Sequence, residues 1–215
     1  MALIASPTST LTVGIDEAGR GALAGPVTAA ACVLPARKRY PVLITDSKQM
    51  TPAEREESFA WLVKNCFYGV GMADAKMIDR IGILASTEIA MQQAVAQVAQ
   101  ISRKLYLLVD GRDAFWFGWP HSSIIGGDLI EPCIGAASII AKVTRDRHMI
   151  EAAKKYGKYG FAQHKGYGVP EHQASILKHG PSEFHRMTFL SKLLPENAGR
   201  RPAPIKKNSP KKFSD

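Results

Sequence analysis

Acidic residues stand at the ends of three apolar segments that have the pattern of buried strands. They are Asp16 and Glu17 after residues 13–15, Asp110 after residues 107–109, and Asp128 after residues 124–127. We expect these strand ends to converge, and crowded carboxylates raise one another's pKa unless a cation compensates them. Mg²⁺ and Mn²⁺ prefer oxygen ligands, and a carboxylate cluster that holds them is the usual platform for phosphoryl chemistry. The four acids together therefore predict a divalent-metal site, although Asp110-Gly111 alone is more typical of a solvated turn.

The pairing of Asp16 with Glu17 sets a geometric condition on that site. Neighbouring side chains on a strand point to opposite faces, so these two carboxylates can share one metal only if the backbone turns there. Gly19 and Gly21 would permit such a turn.

The segment 19–24 also satisfies the pattern G-x-G-x-x-A of dinucleotide-binding loops. That pattern requires a helix that begins at the glycines, whereas here Gly25-Pro26 and the apolar run 27–34 follow, which predicts a strand. We therefore interpret the glycines as a loop whose backbone amides can approach a sugar or phosphate closely, with Arg20 supplying positive charge.

The remaining apolar patterns predict a mixed α/β fold. Strands are predicted at 11–15, 27–34, 67–72, 105–109 and 123–125, and helices at 52–65, 83–101, 134–156 and 170–179. Thr51-Pro52-Ala53-Glu54 has the form of a capping box with proline at the first helical position. Strands followed by helices that alternate with strands favour a mixed sheet flanked by helices, with a helical C-terminal portion.

Charge is concentrated at the C-terminus. The chain has 215 residues and a net charge of +9, and residues 191–215 hold seven Lys and Arg against two acids, a net charge of +5. We expect residues 197–215 to form a disordered, proline-rich basic tail, which either adds solubility or attracts phosphates without sequence preference. The balance of 46% hydrophobic and 22% charged residues is typical of a globular protein and excludes a collagenous or wholly disordered chain.

Membrane and secretory classes are not supported. No segment approaches the roughly 20 apolar residues of a membrane span, and residues 1–12 lack the features of a secretory signal, so we expect a cytoplasmic protein. The three cysteines lack a C-x-x-C spacing and are predicted to be reduced and buried.

Several longer motifs resemble ribonuclease HII. They are, in order, VGIDEAGRG at 13–21, GPV at 25–27, DSK at 46–48, VDG at 109–111, GD at 127–128, AASIIAKVTRD at 136–146, YGF at 159–161, HKGY at 164–167 and HR at 185–186. The resemblance covers residues 11–190, which we take as the catalytic domain. The sibling ribonuclease HIII is a poorer match, because its extra N-terminal domain has no counterpart before residue 11.

The resemblance implies a ribonuclease H-like fold and an endonuclease that cuts the RNA strand of RNA-DNA hybrids, including single ribonucleotides in duplex DNA. It implies cleavage on the 5′ side of the ribonucleotide, leaving 3′-hydroxyl and 5′-phosphate ends. Asp16, Glu17, Asp110 and Asp128 fall on the family's four acidic positions, which hold two Mg²⁺ or Mn²⁺ ions about 4 Å apart.

The resemblance also implies how the substrate is recognised. The loop Gly19-Arg20-Gly21 and Tyr167 fall on the positions that read the junction between ribose and deoxyribose, and Lys48, Lys142 and Lys165 are expected to contact phosphates. A 2′-hydroxyl both donates and accepts hydrogen bonds, so backbone groups of a tight loop can recognise it. One departure is Gly126, where the family often has lysine; this difference puts one substrate contact in doubt.

The six histidines show no metal-binding spacing, and most are predicted to be structural or exposed, with His164 placed to position the motif that follows it. Two functions of other classes remain open. A non-catalytic nucleic-acid-binding module would bind without divalent metal and cut nothing, and a metal-dependent phosphatase would leave duplexes intact. No feature requires more than a monomer.

Overall fold

The architecture is a five-stranded mixed sheet with helices on both faces. The computed structural model describes residues 10–37 and 39–194; the predicted tail at 197–215 lies outside them. The strands are β1 (Leu11–Ala18), β2 (Val27–Val33), β3 (Phe67–Ala73), β4 (Leu105–Asp110) and β5 (His121–Ile124). The helices are α1 (Pro52–Asn65), α2 (Ala75–Ile81), α3 (Ile83–Val98), α4 (Gly127–Ile130), α5 (Pro132–Lys155), α6 (Phe161–His164) and α7 (Pro170–His179). The predicted mixed sheet and helical C-terminal portion are confirmed.

Strand β1 lies at the centre of the sheet, in the order β3-β2-β1-β4-β5. It pairs antiparallel with β2 and parallel with β4, so the C-terminal ends of β1 and β4 lie side by side. Strand β5 continues the parallel part of the sheet beside β4. This topology places the acids near the C-terminal ends of β1 and β4 next to each other, at one end of the sheet.

The two faces of β1 contact different helices. Val13 and Ile15 pack with Met91 and Val95 of α3 in one hydrophobic cluster. The even-numbered residues face α5, as period-2 alternation requires. Helix α5 packs on β1 so closely that a Cβ on Gly14 would lie 2.0 Å from the carbonyl carbon of Cys133. This close packing fixes the distance between Asp16, two residues further along β1, and the first turns of α5.

Most predicted elements are confirmed to within a few residues. Helix α1 begins with the predicted capping box: Thr51 Oγ1 accepts from the Glu54 amide, and the Glu54 carboxylate accepts from the Thr51 amide at 2.8 Å. The sequence pattern does not predict helix α2, because its seven residues are too few to show a clear helical period. Its N-terminus is capped by the Asp74 carboxylate, which accepts from the Met77 amide at 2.7 Å.

Two exposed glutamines of α3 connect this helix to the edge strand β3. Gln93 and Gln97 accept hydrogen bonds from the amides of Met72 and Val70 in β3. Glycines at 69 and 71 make this possible, since a Cβ on Gly71 would lie 2.0 Å from the Ala90 carbonyl oxygen. The helix therefore covers the edge of the sheet at β3.

The C-terminal portion packs against the loop after β1. Ala24 belongs to a hydrophobic cluster with Met149, Phe161 and Ile176, and a single antiparallel bridge joins Ala24 to His185. Among the described residues, no helix is long and apolar enough to cross a membrane. The cysteines are free thiols, and the prediction that all are buried is wrong: Cys32 is buried, but Cys66 and Cys133 are half-buried.

Candidate active site

Three carboxylates converge at the C-terminal edge of the parallel strands. Asp16, Asp110 and Asp128 each offer an oxygen, and these atoms lie within 4.8 Å of one another. Asp16 lies near the end of β1 and is 4% exposed, and Asp110 ends β4. The sequence pattern places Asp128 at a strand end, but it lies in the first turn of α4, after a left-handed Gly126 with φ of 65°. The Gly127 amide donates to Asp110 Oδ1 at 2.8 Å and so connects this turn to β4.

Glu17 lies outside that group of three oxygens. Strand β1 continues to Ala18, so the backbone turn that would let Glu17 join Asp16 comes only after both residues. Glu17 Oε1 instead pairs with Arg20 at 3.0 Å, and Arg20 also pairs with Asp113 at 2.8 Å. The sequence therefore predicts the alternation of these two acids correctly, but the structure does not show both of them in one cluster.

The carboxylates repel one another in a poorly solvated setting. Burial, followed by repulsion from Glu17 and Asp110, raises the pKa of Asp16 well above its ordinary value. Burial also raises the pKa of Glu17, against the lowering effect of Arg20. The pKa of Asp128 is raised by burial and by repulsion from Asp110 and Asp46. Each of these ionised forms thus lacks part of the cationic compensation that it needs.

A divalent cation fits this arrangement. The three converging atoms are hard oxygen ligands. Burial first, and repulsion from neighbouring carboxylates second, raise the pKa values of Asp16 and Asp128, and a bound cation would stabilise the ionised forms that both causes disfavour. Lys48 is the nearby cationic side chain: burial lowers its pKa, but attraction to Asp46, Asp16, Asp128 and Asp110 outweighs that effect and raises it. This exposed ammonium group supplies one positive charge to several carboxylates. Negative charge therefore remains that a metal ion can compensate.

These pKa shifts predict how stability depends on pH. A carboxyl whose pKa is raised on folding destabilises the ionised, metal-free fold, so its cost appears as pH rises above about 4, the ordinary carboxyl value, and is complete above the raised pKa. We expect Asp16→Asn to melt at nearly the wild-type temperature at pH 4 and at a higher temperature at pH 7. Thermal unfolding of both proteins with a chelator would measure this. A difference that is the same at both pH values would contradict the assignment.

Two buried arginines donate hydrogen bonds to backbone carbonyls on the buried side of the loop that follows β1. Arg186 Nε, Nη1 and Nη2 donate to the carbonyls of Gly25, Arg20 and Gly19 at 2.9, 2.8 and 2.7 Å. Arg145 donates to the carbonyls of Pro26, Ala24 and Lys165 at 2.9 to 3.1 Å. Both side chains are 0% exposed. Five of the six hydrogen bonds fix the backbone of residues 19–26 from its buried side, and the sixth connects Arg145 to the segment of Lys165.

Gly19 is required at its position in this loop. Its φ is +91°, and a Cβ there would lie 1.9 Å from Arg145 Nε. Gly21 has open space around the corresponding position, so its missing side chain keeps the outer side of the loop accessible.

Tyr167 contacts the same buried arginine that holds the loop. The Arg145 guanidinium lies 5.3 Å from the centre of the Tyr167 ring, and Lys142 Nζ lies 5.8 Å from it. Tyr167, Lys142 and Lys165 line one surface cleft of about 410 Å³. Lys142 also pairs with Asp146 at 2.9 Å, and Lys165 Nζ donates to the carbonyl of Ala162. Three of the predicted recognition residues therefore share one cleft, which Arg145 connects to the loop after β1.

Sequence reasoning missed the residues that support the loop and the cleft. Ser138 of α5 contacts Asp16 and exchanges a 2.8 Å hydrogen bond with Ser47, which anchors the loop that carries Lys48. Arg145 and Arg186 lie within the motifs at 136–146 and 185–186. Their place in these motifs is the one sequence feature that could have indicated a role for them. A charged residue in isolation is more typical of the surface than of a core.

Comparison with known proteins agrees with this geometry. The family model described as Ribonuclease HII matches residues 13–192. A Ribonuclease HII of Novosphingobium aromaticivorans is 45% identical over 83% of this chain and 95% of its own, and one of Geobacter sulfurreducens is 50% identical over 82% and 80%. The ribonuclease HII of Archaeoglobus fulgidus, solved in complex with PCNA, superposes with a TM-score of 0.67 at 25% identity, over 82% of this chain and 94% of that one.

Proposed function

The chain belongs to the ribonuclease HII family of metal-dependent endoribonucleases, and from this premise we propose that it hydrolyses the RNA strand of RNA-DNA hybrids and cuts at single ribonucleotides in duplex DNA. The observation that carries the proposal is the convergence of the Asp16, Asp110 and Asp128 oxygens within 4.8 Å. These three residues would hold Mg²⁺ or Mn²⁺, with Glu17 beside them. Divalent ions bound there supply Lewis-acid activation of water and charge stabilisation at the leaving oxygen.

The protein's own residues have distinct tasks in this proposal. Asp16, Asp110 and Asp128 supply the negative charge that retains the ions, and Asp16 is oriented by the Glu17 amide, which donates to it at 2.6 Å. Lys48 reduces the repulsion between this acidic cluster and the incoming phosphates. The loop Gly19-Arg20-Gly21 presents backbone groups to the 2′-hydroxyl, and Lys142 and Lys165 attract the nucleic-acid backbone beside Tyr167.

The direct test uses three end-labelled duplexes: all-DNA, DNA with one ribonucleotide, and a long RNA-DNA hybrid. Each is incubated with Mg²⁺ or Mn²⁺, and with a chelator as control. We expect cutting of the last two only, on the 5′ side of the single ribonucleotide, leaving 3′-hydroxyl and 5′-phosphate ends. Binding without cutting by a folded, metal-loaded protein would favour a nucleic-acid-binding module with inactive carboxylates. Monomeric state and cytoplasmic location stay predictions.

Tyr167 provides a prediction about substrate choice. An aromatic ring that packs against the sugar next to the ribonucleotide tolerates a deoxyribose and clashes with a 2′-hydroxyl, so its removal should weaken the preference for single ribonucleotides. We expect Tyr167→Ala to lower kcat/KM for the single-ribonucleotide duplex about tenfold, in line with the 1 to 3 kcal/mol of one aromatic contact with a nucleotide. Tyr167→Phe keeps the ring and serves as the matched control. Equal losses in both variants would assign the effect to the hydroxyl instead of the ring.

A further inference from the structure

Three buried or half-buried histidines form a cluster behind Tyr167. The rings of His164 and His172 are stacked with centres 4.4 Å apart, and His172 Nε2 lies 3.1 Å from His185 Nε2. His172 and His185 are 0% and 2% exposed. None of the three contacts the carboxylate cluster through a described hydrogen bond, so the metal chemistry does not account for them.

The partners of each ring fix where its proton lies. His172 Nδ1 faces the Tyr167 carbonyl at 2.8 Å, and a carbonyl only accepts, so this nitrogen is protonated and donates. At the other end, His185 Nδ1 faces the Ser182 amide at 3.0 Å and the Ser182 hydroxyl at 2.8 Å. An amide only donates, so His185 Nδ1 accepts and its proton is on Nε2.

The proton positions assigned to His172 and to His185 are consistent with each other at the contact between their Nε2 atoms. His185 Nε2–H points at His172 Nε2, which is unprotonated in a neutral ring whose proton is on Nδ1. The hydrogen bonds therefore run in one direction, from Ser182 through His185 and His172 to the Tyr167 carbonyl. The same reasoning puts the His164 proton on Nε2, since that atom faces the Tyr159 carbonyl and Nδ1 accepts from Gly166.

The surroundings keep these rings neutral. Burial lowers the pKa of His185 to about 4, with repulsion from His172 as the next cause, and burial also lowers the pKa of His172. The titratable groups packed against the pair are His164 and Tyr159, and the apolar ring of Phe161 contacts both histidines. A proton added to either ring would put two donors face to face, at the Ser182 amide or at the contact between the two Nε2 atoms.

We propose that His172 and His185 are positioning residues that set the backbone of Tyr167, and thereby the angle at which its ring meets the sugar beside the ribonucleotide. The Tyr167 carbonyl also accepts from the Val169 amide at 2.9 Å, so the histidine contact supplies the second of its two hydrogen bonds. That carbonyl follows the left-handed Lys165 (φ 52°) and Gly166 (φ 82°), a segment that needs tertiary contacts to hold its shape. This inference rests on the proposed role of Tyr167 in substrate choice.

Two isosteric replacements of His172 separate positioning from general packing. The amide nitrogen of asparagine lies near the position of imidazole Nδ1 and can donate to the Tyr167 carbonyl, whereas that of glutamine lies near Nε2 and cannot. We expect His172→Asn to keep the wild-type preference for single ribonucleotides over the long hybrid, and His172→Gln to lower it about three- to tenfold, the factor that one hydrogen bond contributes. His179→Gln, an exposed histidine on the same helix, is the control.

Two further readouts distinguish the possible failures. Nitrogen-15 spectra of the histidines with Mg²⁺ should show His172 protonated at Nδ1 and His164 and His185 at Nε2; the opposite form of His172 would overturn the proposal. Equal preference in His172→Asn and His172→Gln, at equal melting temperatures, would also overturn it. If Tyr167→Ala itself leaves the preference unchanged while the duplexes are still cut, the proposed role of Tyr167 fails first and the histidine proposal fails with it.

Discussion

Asp16→Asn is expected to lower the cleavage rate at least about 100-fold, because metal ions contribute several kcal/mol of transition-state stabilisation and each 1.4 kcal/mol is a factor of ten. The amide oxygen of the introduced asparagine can still accept from the Glu17 amide, so the local backbone is preserved. The variant also loses the negative charge of Asp16, which burial and repulsion from Glu17 and Asp110 make unfavourable in the metal-free fold. We therefore expect it to melt several degrees higher than the wild type without metal. Single-turnover cleavage and metal-dependent thermal shifts measure the two effects.

Hybrid binding provides the control for that loss. Since asparagine adds no bulk and removes one negative charge, binding of the RNA-DNA hybrid should be unchanged or slightly tighter. Asp46→Asn is a matched variant, because Asp46 lies beside Asp128 but outside the group of three converging oxygens. More than a few per cent of wild-type activity in Asp16→Asn, with Asp46→Asn affected equally, would remove Asp16 from the set of metal ligands.

Arg186→Ala should destabilise the fold strongly. Its removal leaves the buried carbonyls of Gly19, Arg20 and Gly25 without the donors they have now, and each such group costs about 1 to 3 kcal/mol. We expect a loss of about 3 to 5 kcal/mol, because the costs of three such carbonyls add up and the cost of burying the guanidinium itself offsets part of the sum. Chemical unfolding of the metal-free protein measures the change.

Two variants bracket this expectation. Arg186→Lys keeps the charge but replaces a planar group with three directed donors by a single ammonium, so it should recover only part of the stability. Arg147→Ala removes an arginine that is 56% exposed and pairs with Glu56 on the surface, and it should change stability by no more than about 0.5 kcal/mol. If Arg186→Ala and Arg147→Ala change the free energy of unfolding by the same small amount, the three buried hydrogen bonds of Arg186 do not stabilise the loop after β1.

The acids and the sheet could be predicted because both leave local patterns. Apolar segments that end in carboxylates predict the strands and indicate that their acidic ends lie close together. The capping box of Thr51 and Glu54 predicts the start of α1. The separation of Glu17 from the other acids depends on where β1 ends. The apolar pattern predicts that boundary at residue 15, but it lies at Ala18, because the β1–β2 pairing continues to Ala18 opposite Thr28.

The buried residues that contact the loop after β1 and Tyr167 could not be predicted, because their partners are distant in sequence. Arg186 and Gly19 are 167 positions apart, and nothing near Arg186 indicates that its partners are carbonyls. The histidines at 172 and 185 likewise lack any common spacing, and their contact exists only because α7 and the segment after it pack on Phe161.

The contacts between Arg186 and the loop after β1 also set an order of events during synthesis. A ribosome adds about 5 to 20 residues per second, so roughly 10 to 30 s pass between translation of Gly19 and translation of Arg186. During that interval the acids of β1, β4 and α4 have all been made, but the loop beside them lacks three of its hydrogen-bond donors. A nascent chain therefore holds the acids proposed as metal ligands before the backbone of the loop proposed to recognise the substrate is fixed. We expect selective cutting only once the segment that carries Arg186 has been made.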